Sequence, residues 1–171
     1  MSDEQKKNLL SGTRDWSGAW GNANAWYTNG VHDGFTVMSR KGAWNGMYTL
    51  AKLTAGHTYT FSACVKVEPG QYHPIGIFVT HSDPVNDTYL ANSEVDYTGS
   101  QAFNVADGEW HVISHTVTVM ASKSAKLRVE AYGDFTLSVC AYMLVEGTEP
   151  AAWAPAEGET LTADAVGGRY E

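Results

Sequence analysis

Residues 136–159 read TLSVCAYMLVEGTEPAAWAPAEGE, and this stretch decides the fold. An apolar run leads into an acidic turn, then a Thr-Glu-Pro, the single Trp153, a proline and an acidic end. Its counterpart at the start of the chain is residues 8–18, NLLSGTRDWSG. Apolar runs bounded by glycine, proline and acidic turn residues predict β-strands.

The composition favours an all-β domain. The chain has 171 residues, of which 17 are Gly, 9 are Tyr and 6 are Trp, and only 18% are charged. This mixture suits short strands joined by many turns, and the length suits one domain with a real core. The formal net charge of −8 argues against nucleic-acid binding, because phosphate contacts need clustered Lys and Arg.

Alternation along the chain predicts the strands. In residues 59–67, side chains at odd positions are apolar or aromatic and those at even positions are mostly polar, which is the period of a half-buried strand. Short strands at roughly ten-residue intervals are typical of two antiparallel sheets packed face to face. Further strands are predicted at Leu9-Leu10 and at residues 36–39, 48–52, 75–80, 110–120, 127–132 and 135–144.

Three motifs carry a family resemblance. They are Asn8-Leu9-Leu10-Ser11-Gly12-Thr13, the run AGHTYTFSA at residues 55–63, and the exit Leu144-Val145-Glu146-Gly147 followed by Trp153-Ala154-Pro155. They resemble the carbohydrate-binding-module-like jelly-roll domains of bacteriophage tail fibres and other virion proteins, although Val145 is inserted between the family's Leu and Glu. The resemblance implies an all-β, antiparallel jelly-roll β-sandwich in a single domain over residues 8–159, with the opening near Leu9 close to the exit around Trp153. Residues 1–7 and 160–171 would then be a polar N-terminal tail and a flexible C-terminal tail.

The compartment follows from the N-terminus. Residues 1–7, MSDEQKK, lack the apolar region of a secretory signal, and no run is long enough to span a membrane. We therefore expect synthesis in a bacterial cytoplasm, and the resemblance implies that the protein leaves it in a phage virion. A reducing cytoplasm favours thiols at Cys64 and Cys140. A disulfide between them is possible only if their strands are neighbours.

Two segments that do not alternate, residues 16–46 and 70–108, are the candidates for function. Sugars stack their apolar faces on aromatic rings while polar side chains bind the hydroxyls, and irregular segments often supply such groups. For Trp20, Trp26 and Tyr27, ligand contact, partner contact and plain packing stay open. The candidate carbohydrate-binding residues are an exposed platform of Trp20, Trp26, Tyr27, Asn29, His32 and Asp33, with Tyr72, His73 and Tyr89 as a second wall.

The remaining tryptophan, histidine and aspartate residues are interpreted as structural. The resemblance implies packing roles for Trp16, Trp110 and Trp153, and a core or rim position for Trp44. His111 and His115 share one strand face, but two ligands fall short of an ordinary metal site. Jelly-roll modules often carry a structural calcium ion. Asp15 and Asp134 are conceivable ligands for one, but the sequence has no dense acidic loop of the kind that calcium sites use. We predict no cofactor and no metal site.

Function is predicted at the level of class. The sequence holds no nucleophile elbow, zinc-protease motif or phosphate loop, so we predict no enzyme. The favoured reading is a virion protein that adheres to host-cell or mucosal glycans, and the rival is a structural capsid or tail subunit that decorates or cements other virion proteins. Because avidity raises weak affinities, we expect several copies, as a homo-oligomer or an array, with residues 160–171 as the contact. Neither nucleic acid nor membrane is an expected partner.

Overall fold

A computed structural model describes residues 6–81, 100–119 and 123–159. Within these ranges the one helical element is a 3₁₀ turn at Ala23–Ala25, and no helix there is long and apolar enough to cross a membrane. The described residues form nine strands, which are β1 Tyr27–His32, β2 Phe35–Lys41, β3 Tyr48–Leu53, β4 Thr58–Val67, β5 Ile75–His81, β6 Ser100–Phe103, β7 Trp110–Thr118, β8 Lys123–Ala131 and β9 Thr136–Glu146.

The strands form two antiparallel sheets. A five-stranded sheet has the order β1-β2-β9-β4-β7, and a four-stranded sheet has the order β3-β8-β5-β6. Neighbours in the sheets are mostly distant in sequence, since β9 lies between β2 and β4, and β8 lies between β3 and β5. The predicted jelly-roll β-sandwich is confirmed.

The core lies between the sheets and follows the alternation of β4. Its odd-numbered side chains, from Tyr59 to Val67, are at most 5% exposed and belong to one apolar cluster. Leu127 and Val129 of β8 belong to the same cluster. Burying each large apolar side chain stabilises the fold by roughly 1.5–3 kcal/mol relative to leaving it in water. The face of each sheet that points away from this core is called its outer face below.

The two ends of the domain meet at Asn8. Its backbone N–H donates to the carbonyl of Pro155 (3.1 Å), and Asn8 forms a parallel bridge with Ala156. Its side-chain amide donates to the carbonyl of Tyr142 (2.9 Å), while its side-chain oxygen accepts from the N–H of Leu144 (3.0 Å). The buried side chain of Asn8 therefore ties the start of the domain to β9.

The predicted strand at Leu9-Leu10 is wrong. No strand extends through these residues: they make the bridge at Asn8 and one backbone bond from the N–H of Leu9 to the carbonyl of Leu144 (2.8 Å), and Leu9 is 50% exposed. The Asn8 side-chain oxygen also accepts from the N–H of Leu10 (3.0 Å), a local bond that competes with strand pairing and turns the chain. The predicted closeness of this opening to the exit at Trp153 is nevertheless observed, since the Trp153 indole N–H donates to Thr13 Oγ1 (2.8 Å).

Candidate functional site

The outer face of the five-stranded sheet is partly covered. Phe35, Val37 and Cys140 form an apolar cluster separate from the main core, yet they are only 6%, 3% and 0% exposed. Trp110 and Trp153 pack against this cluster. Side chains from elsewhere in the chain must therefore close over this face, and the gap that they leave is the candidate site.

One cover joins the two edges of the sheet. His32 of β1 stacks on Trp110 of β7, with ring centroids 4.2 Å apart and planes 11° from parallel. These strands are the opposite edges of the sheet, and four spacings of about 4.8 Å would separate them by about 19 Å if the sheet were flat. β2 pairs with β9 only from Met38 to Lys41, so the hairpin end that carries His32 lies beyond this pairing and reaches over the outer face, which we call the concave face below. We call the stacked pair the His32–Trp110 bridge.

A cavity of about 400 Å³ lies on this concave face beside the bridge. Its surface combines aromatic rings, aliphatic groups and a few polar side chains, which is the usual make-up of a small-molecule site. Its lining comes from β1, β2, β4, β7 and β9, from the turn after β1, and from the segment after β9. The lining residues are His32, Asp33, Phe35, Ser62, Ala63, Cys64, Val112, Ala141, Met143, Pro150, Ala151, Ala152 and Trp153.

A tight hairpin turn places two of these rings. Asp33 and Gly34 alone separate β1 from β2, and His32 pairs directly with Phe35. Both turn residues have positive φ, 52° at Asp33 and 87° at Gly34. An Asp-Gly pair favours this two-residue hairpin because glycine and, to a lesser degree, aspartate tolerate left-handed backbone. The turn also sets the Asp33 carboxylate at the cavity.

A bulge in β9 shapes the floor. Ser62 pairs with Met143 and Cys64 with Cys140, so an extra residue of β9 is accommodated between these pairs. Ala141, within the bulge, has a φ of 56°, which is uncommon for a residue other than glycine. Bulges redirect side chains, and this one keeps Cys140 and Met143 on the outer face although three positions separate them.

The segment after β9 supplies the opposite wall. The Trp153 ring meets Phe35 edge to face, with centroids 4.9 Å apart, and its indole N–H donates to Thr13 Oγ1 (2.8 Å). The N–H of Ala154 contacts the Met143 sulfur (3.5 Å). These contacts fix the segment against β9, so the Trp153 wall is in place before any ligand arrives.

Polar groups stand at the edge of the cavity. The Asp33 side chain is 56% exposed and the His32 side chain 27%, and His32 Nε2 lies 3.5 Å from Asp33 Oδ2. Ser62 adds a hydroxyl from the floor, where it is 4% exposed. The site can therefore offer hydrogen-bond acceptors and donors beside apolar rings, the combination that neutral polyhydroxyl ligands need.

The predicted exposed platform is wrong for its tryptophans. Trp26 is 7% exposed, belongs to the main core, and donates its indole N–H to the carbonyl of Asn45 (2.8 Å). Trp20 is half-buried against Trp16 and Tyr142, at centroid distances of 4.7 and 5.8 Å. The irregular segment that holds them closes the core, and backbone carbonyls satisfy the indole nitrogens.

The other predicted residues are scattered. His32 and Asp33 line the cavity; Tyr27 is 53% exposed, and Asn29 donates to Ser39 Oγ (3.0 Å). Tyr72 is 89% exposed and meets His73 edge to face at 5.3 Å, but neither lines the cavity, so they form no second wall there. Tyr89 lies outside the described residues.

Sequence reasoning missed three aromatic residues of the site, which are Phe35, Trp110 and Trp153. The resemblance gave the two tryptophans packing roles, which they have, but Trp153 also lines the cavity and Trp110 backs His32. The Asp33-Gly34 pair was the available signal, because it predicts a hairpin with His32 opposite Phe35. Trp16 is buried and Trp44 is 51% exposed, as a packing and a rim residue would be.

No metal centre emerges from the part of the chain that the structure describes: no group of three or more His, Cys, Asp or Glu there could hold an ion. Asp15 is already engaged, with Arg14 at 2.8 Å and the N–H of Ser17 at 3.1 Å. Partial burial acts to raise the pKa of Asp15, but hydrogen bonds from Ser17 outweigh it and the net pKa is lowered. A calcium ion at Asp15 or Asp134 stays untested.

Cys64 and Cys140 are both thiols, and they face each other in register on neighbouring strands. The condition for a disulfide, which the sequence left open, is therefore met by the topology. Cys64 lines the cavity, whereas Cys140 lies fully buried beside it.

Solved structures share this fold. The chain is similar to the xylan-binding domain CBM22-1 of Paenibacillus barcinonensis Xyn10C, with a TM-score of 0.57 and 16% identity over 85% of this chain and 97% of that one. It is similar to the module TmCBM61 bound to β-1,4-galactotriose, with a TM-score of 0.50 and 15% identity over 82% and 99% of the two chains. It is also similar to the baseplate tripod of bacteriophage Tuc2009, with a TM-score of 0.54 and 15% identity over 93% of this chain and 62% of that one.

No protein-family model and no curated protein matches the sequence. The likeness to the solved structures, at these identities, is one of fold. The chain thus has the jelly-roll fold of carbohydrate-binding modules that the three sequence motifs predicted, and this fold also occurs in a phage baseplate protein.

Proposed function

We propose that this protein is a non-enzymatic carbohydrate-binding domain that holds a glycan in the cavity on its concave face. One observation carries the proposal: Phe35, Trp153 and His32 surround a space of about 400 Å³ with the Asp33 carboxylate at its edge. Pyranose rings have an apolar face that packs on such side chains and hydroxyls that bond to such a carboxylate.

The polar groups suit binding better than catalysis. Among the described lining residues there is one carboxylate, Asp33, whereas glycoside hydrolysis generally needs a pair flanking the bond. The Asp33 side chain is 56% exposed, so its carboxylate oxygens can accept hydrogen bonds from adjacent hydroxyls. Ser62 and His32 add groups able to donate.

The similar structures support the ligand class. The names of two of them state that they bind xylan or β-1,4-galactotriose. One fold hosts many functions, so the cavity carries more weight than the likeness. The baseplate tripod supports the finer proposal of a phage virion adhesin that attaches to host-cell or mucosal glycans. Display in several copies would compensate for a weak single site by about 10²–10⁴ in apparent affinity.

The rival is a structural subunit that binds other virion proteins. It is favoured by large apolar side chains that are exposed outside the cavity lining, among them Tyr72 at 89% and Trp44 at 51%. Such residues are common singly on surfaces, and become informative only when they form a patch. The two functions predict different losses from different variants.

A glycan array read with the purified protein tests the proposal, followed by calorimetry on the best binders. Asp33→Gly removes the carboxylate and keeps a residue that tolerates the turn, so we expect binding to fall at least tenfold, about 1.4 kcal/mol. Tyr72→Ala is the matched surface control and should leave binding unchanged. Absence of glycan binding by the wild type, together with binding to purified virions that Tyr72→Ala abolishes, would favour the structural rival.

A further inference from the structure

We infer that the cavity receives the terminal sugar of a glycan and excludes the interior of a chain that runs through. This inference rests on the proposed function and adds the mode of binding. It follows from the groups that cover the concave face on either side of the cavity. The outward-facing residues of β4 show where this cover begins and ends.

The first closed position lies at the His32–Trp110 bridge. His32 lines the cavity while Trp110 does not, so Trp110 stands behind His32 as seen from the cavity. Lys66 Nζ lies 5.4 Å from the centre of the Trp110 ring, and the two residues pair in register. Side chains therefore occupy the groove beyond His32.

No passage runs beneath the bridge. Val37 and Cys140 belong to the outer-face cluster against which Trp110 packs, and they are 3% and 0% exposed. A channel wide enough for a sugar chain would leave these side chains open to solvent. The bridge therefore rests on the sheet as a wall.

The second closed position lies at Thr60. This outward residue of β4 is 0% exposed, and its hydroxyl donates to the carbonyl of Gly147 (2.9 Å), in the segment that leaves β9. The same segment continues through residues 150–153, which line the cavity. The chain after β9 thus covers the sheet at Thr60 and borders the cavity at Trp153.

Between these positions β4 lines the cavity with Ser62, Ala63 and Cys64, and the Ala63 side chain belongs to the main core. At about 3.3 Å per residue, the open stretch along the strand is on the order of 10 Å. A volume of about 400 Å³ lies near the lower end of the ordinary range for ligand sites and suits roughly one or two sugar rings. The lining residue Val112, on the edge strand β7, is 70% exposed, so the opening is towards that edge.

Calorimetry against a chain-length series tests the inference. The probes are xylo-oligosaccharides and β-1,4-galacto-oligosaccharides of one to six units, together with the best array binder and its shorter fragments. We expect affinity to reach a plateau by two units, with less than about threefold change from further units, because each added subsite contact worth 1.4 kcal/mol would give tenfold. A steady rise through four or more units would overturn the inference and leave the proposed function intact.

Variants of the His32–Trp110 bridge test by themselves whether the bridge closes the groove. Trp110→Ala should open the groove, so that tetramers and hexamers bind at least tenfold tighter relative to the monomer than they do to the wild type. Trp110→Phe keeps an aromatic partner for His32 and should keep the plateau. His32→Ala is the second bridge variant should Trp110→Ala not fold, as judged by circular dichroism. An unchanged plateau in a folded bridge variant would show that the bridge does not close the groove, whereas no binding of any saccharide would remove the proposed function itself.

Discussion

The outer faces of the two sheets are built in opposite ways. On the four-stranded sheet, side chains of the strands themselves fill the face: Tyr48, Arg128 and Phe78 form a row across β3, β8 and β5. On the five-stranded sheet, the covers come from a hairpin turn, an edge strand and the segment after β9, and a cavity remains between them. A face covered by remote segments leaves room for a ligand, and a face filled from its own strands does not.

The filled face contains a buried ion pair. Arg128 and Glu130 are 8% and 7% exposed, and Arg128 Nε donates to Glu130 Oε2 at 2.8 Å. Glu130 also accepts from the N–H of Gly46 (3.0 Å), and the Arg128 guanidinium lies 4.5 Å from the centre of the Phe78 ring. Both charged groups therefore make their contacts within the folded protein.

The largest expected effect comes from breaking this pair. Glu130→Ala leaves the Arg128 charge buried and should lower the free energy of unfolding by about 3–5 kcal/mol, with glycan affinity unchanged in the folded fraction. Urea denaturation measures it. The double variant Arg128→Met with Glu130→Leu removes both charges and should lose much less. A single-variant loss below about 1 kcal/mol would mean that the two faces differ less than the burial indicates.

The cavity wall should separate binding from stability. Trp153→Ala should cost less than the roughly 3–5 kcal/mol of a buried tryptophan, because its ring is half-buried, while glycan binding falls at least tenfold. Trp26→Ala is the matched variant and should show the reverse, with the full loss of stability and retained binding. Equal binding losses in the two variants would place the ligand away from the cavity.

Exposed aromatic residues outside the cavity lining should matter least for stability. Tyr72→Ala and Trp44→Ala should each change the unfolding free energy within about 0.5 kcal/mol, as surface substitutions do. Trp44 also has a φ of 63°, where glycine is more comfortable, so Trp44→Gly should be no less stable than Trp44→Ala. Thermal and urea unfolding check both. Reduced glycan binding in either variant would extend the site beyond the cavity.

A pH dependence is expected at the turn before β7. The backbone N–H of Glu109 donates to Asp107 (2.9 Å), and with a bond from His111 it lowers the pKa of this carboxyl below its ordinary 3.8. A lowered pKa in the folded state stabilises the fold above about pH 4 and loses that contribution as pH falls through the folded value. Asp107→Asn should therefore be slightly less stable at pH 7 and equal to the wild type near pH 2. Urea midpoints across this range measure it, and a gap that widens in acid would contradict the assignment.

The sequence predicted the faces that follow a period. The alternation of β4 placed Tyr59 to Val67 in the core, because a period of two needs no knowledge of the partner strand. It missed β1, whose side chains are nearly all exposed, whose Gly30 has a φ of 78°, and whose register shifts between Thr28 and Val31. An edge strand with one irregularity and no apolar face gives no periodic signal.

The site was harder to predict because its residues are remote in sequence. Phe35, Ser62 and Trp153 meet only through the order of strands in the sheet, and the bulge at Ala141 decides which β9 side chains reach the floor. The predicted exposure of Trp26 was wrong for a related reason. An irregular segment can still close a core when a backbone carbonyl, here that of Asn45, accepts the hydrogen bond of the buried indole N–H. A segment without alternation is therefore not a regular strand, but its side chains can still be buried.

The meeting of the two domain ends at Asn8 has a mechanical consequence. Tension applied between residues 8 and 156 would act along a parallel bridge, so its bonds would be sheared together and would not open in turn. The Asn8 side chain passes that force to Leu144 of β9, and neighbouring Thr13 holds Trp153 at the cavity wall. A pull on the chain from either side would therefore reach the binding wall at Trp153 as directly as it reached the core at Leu144.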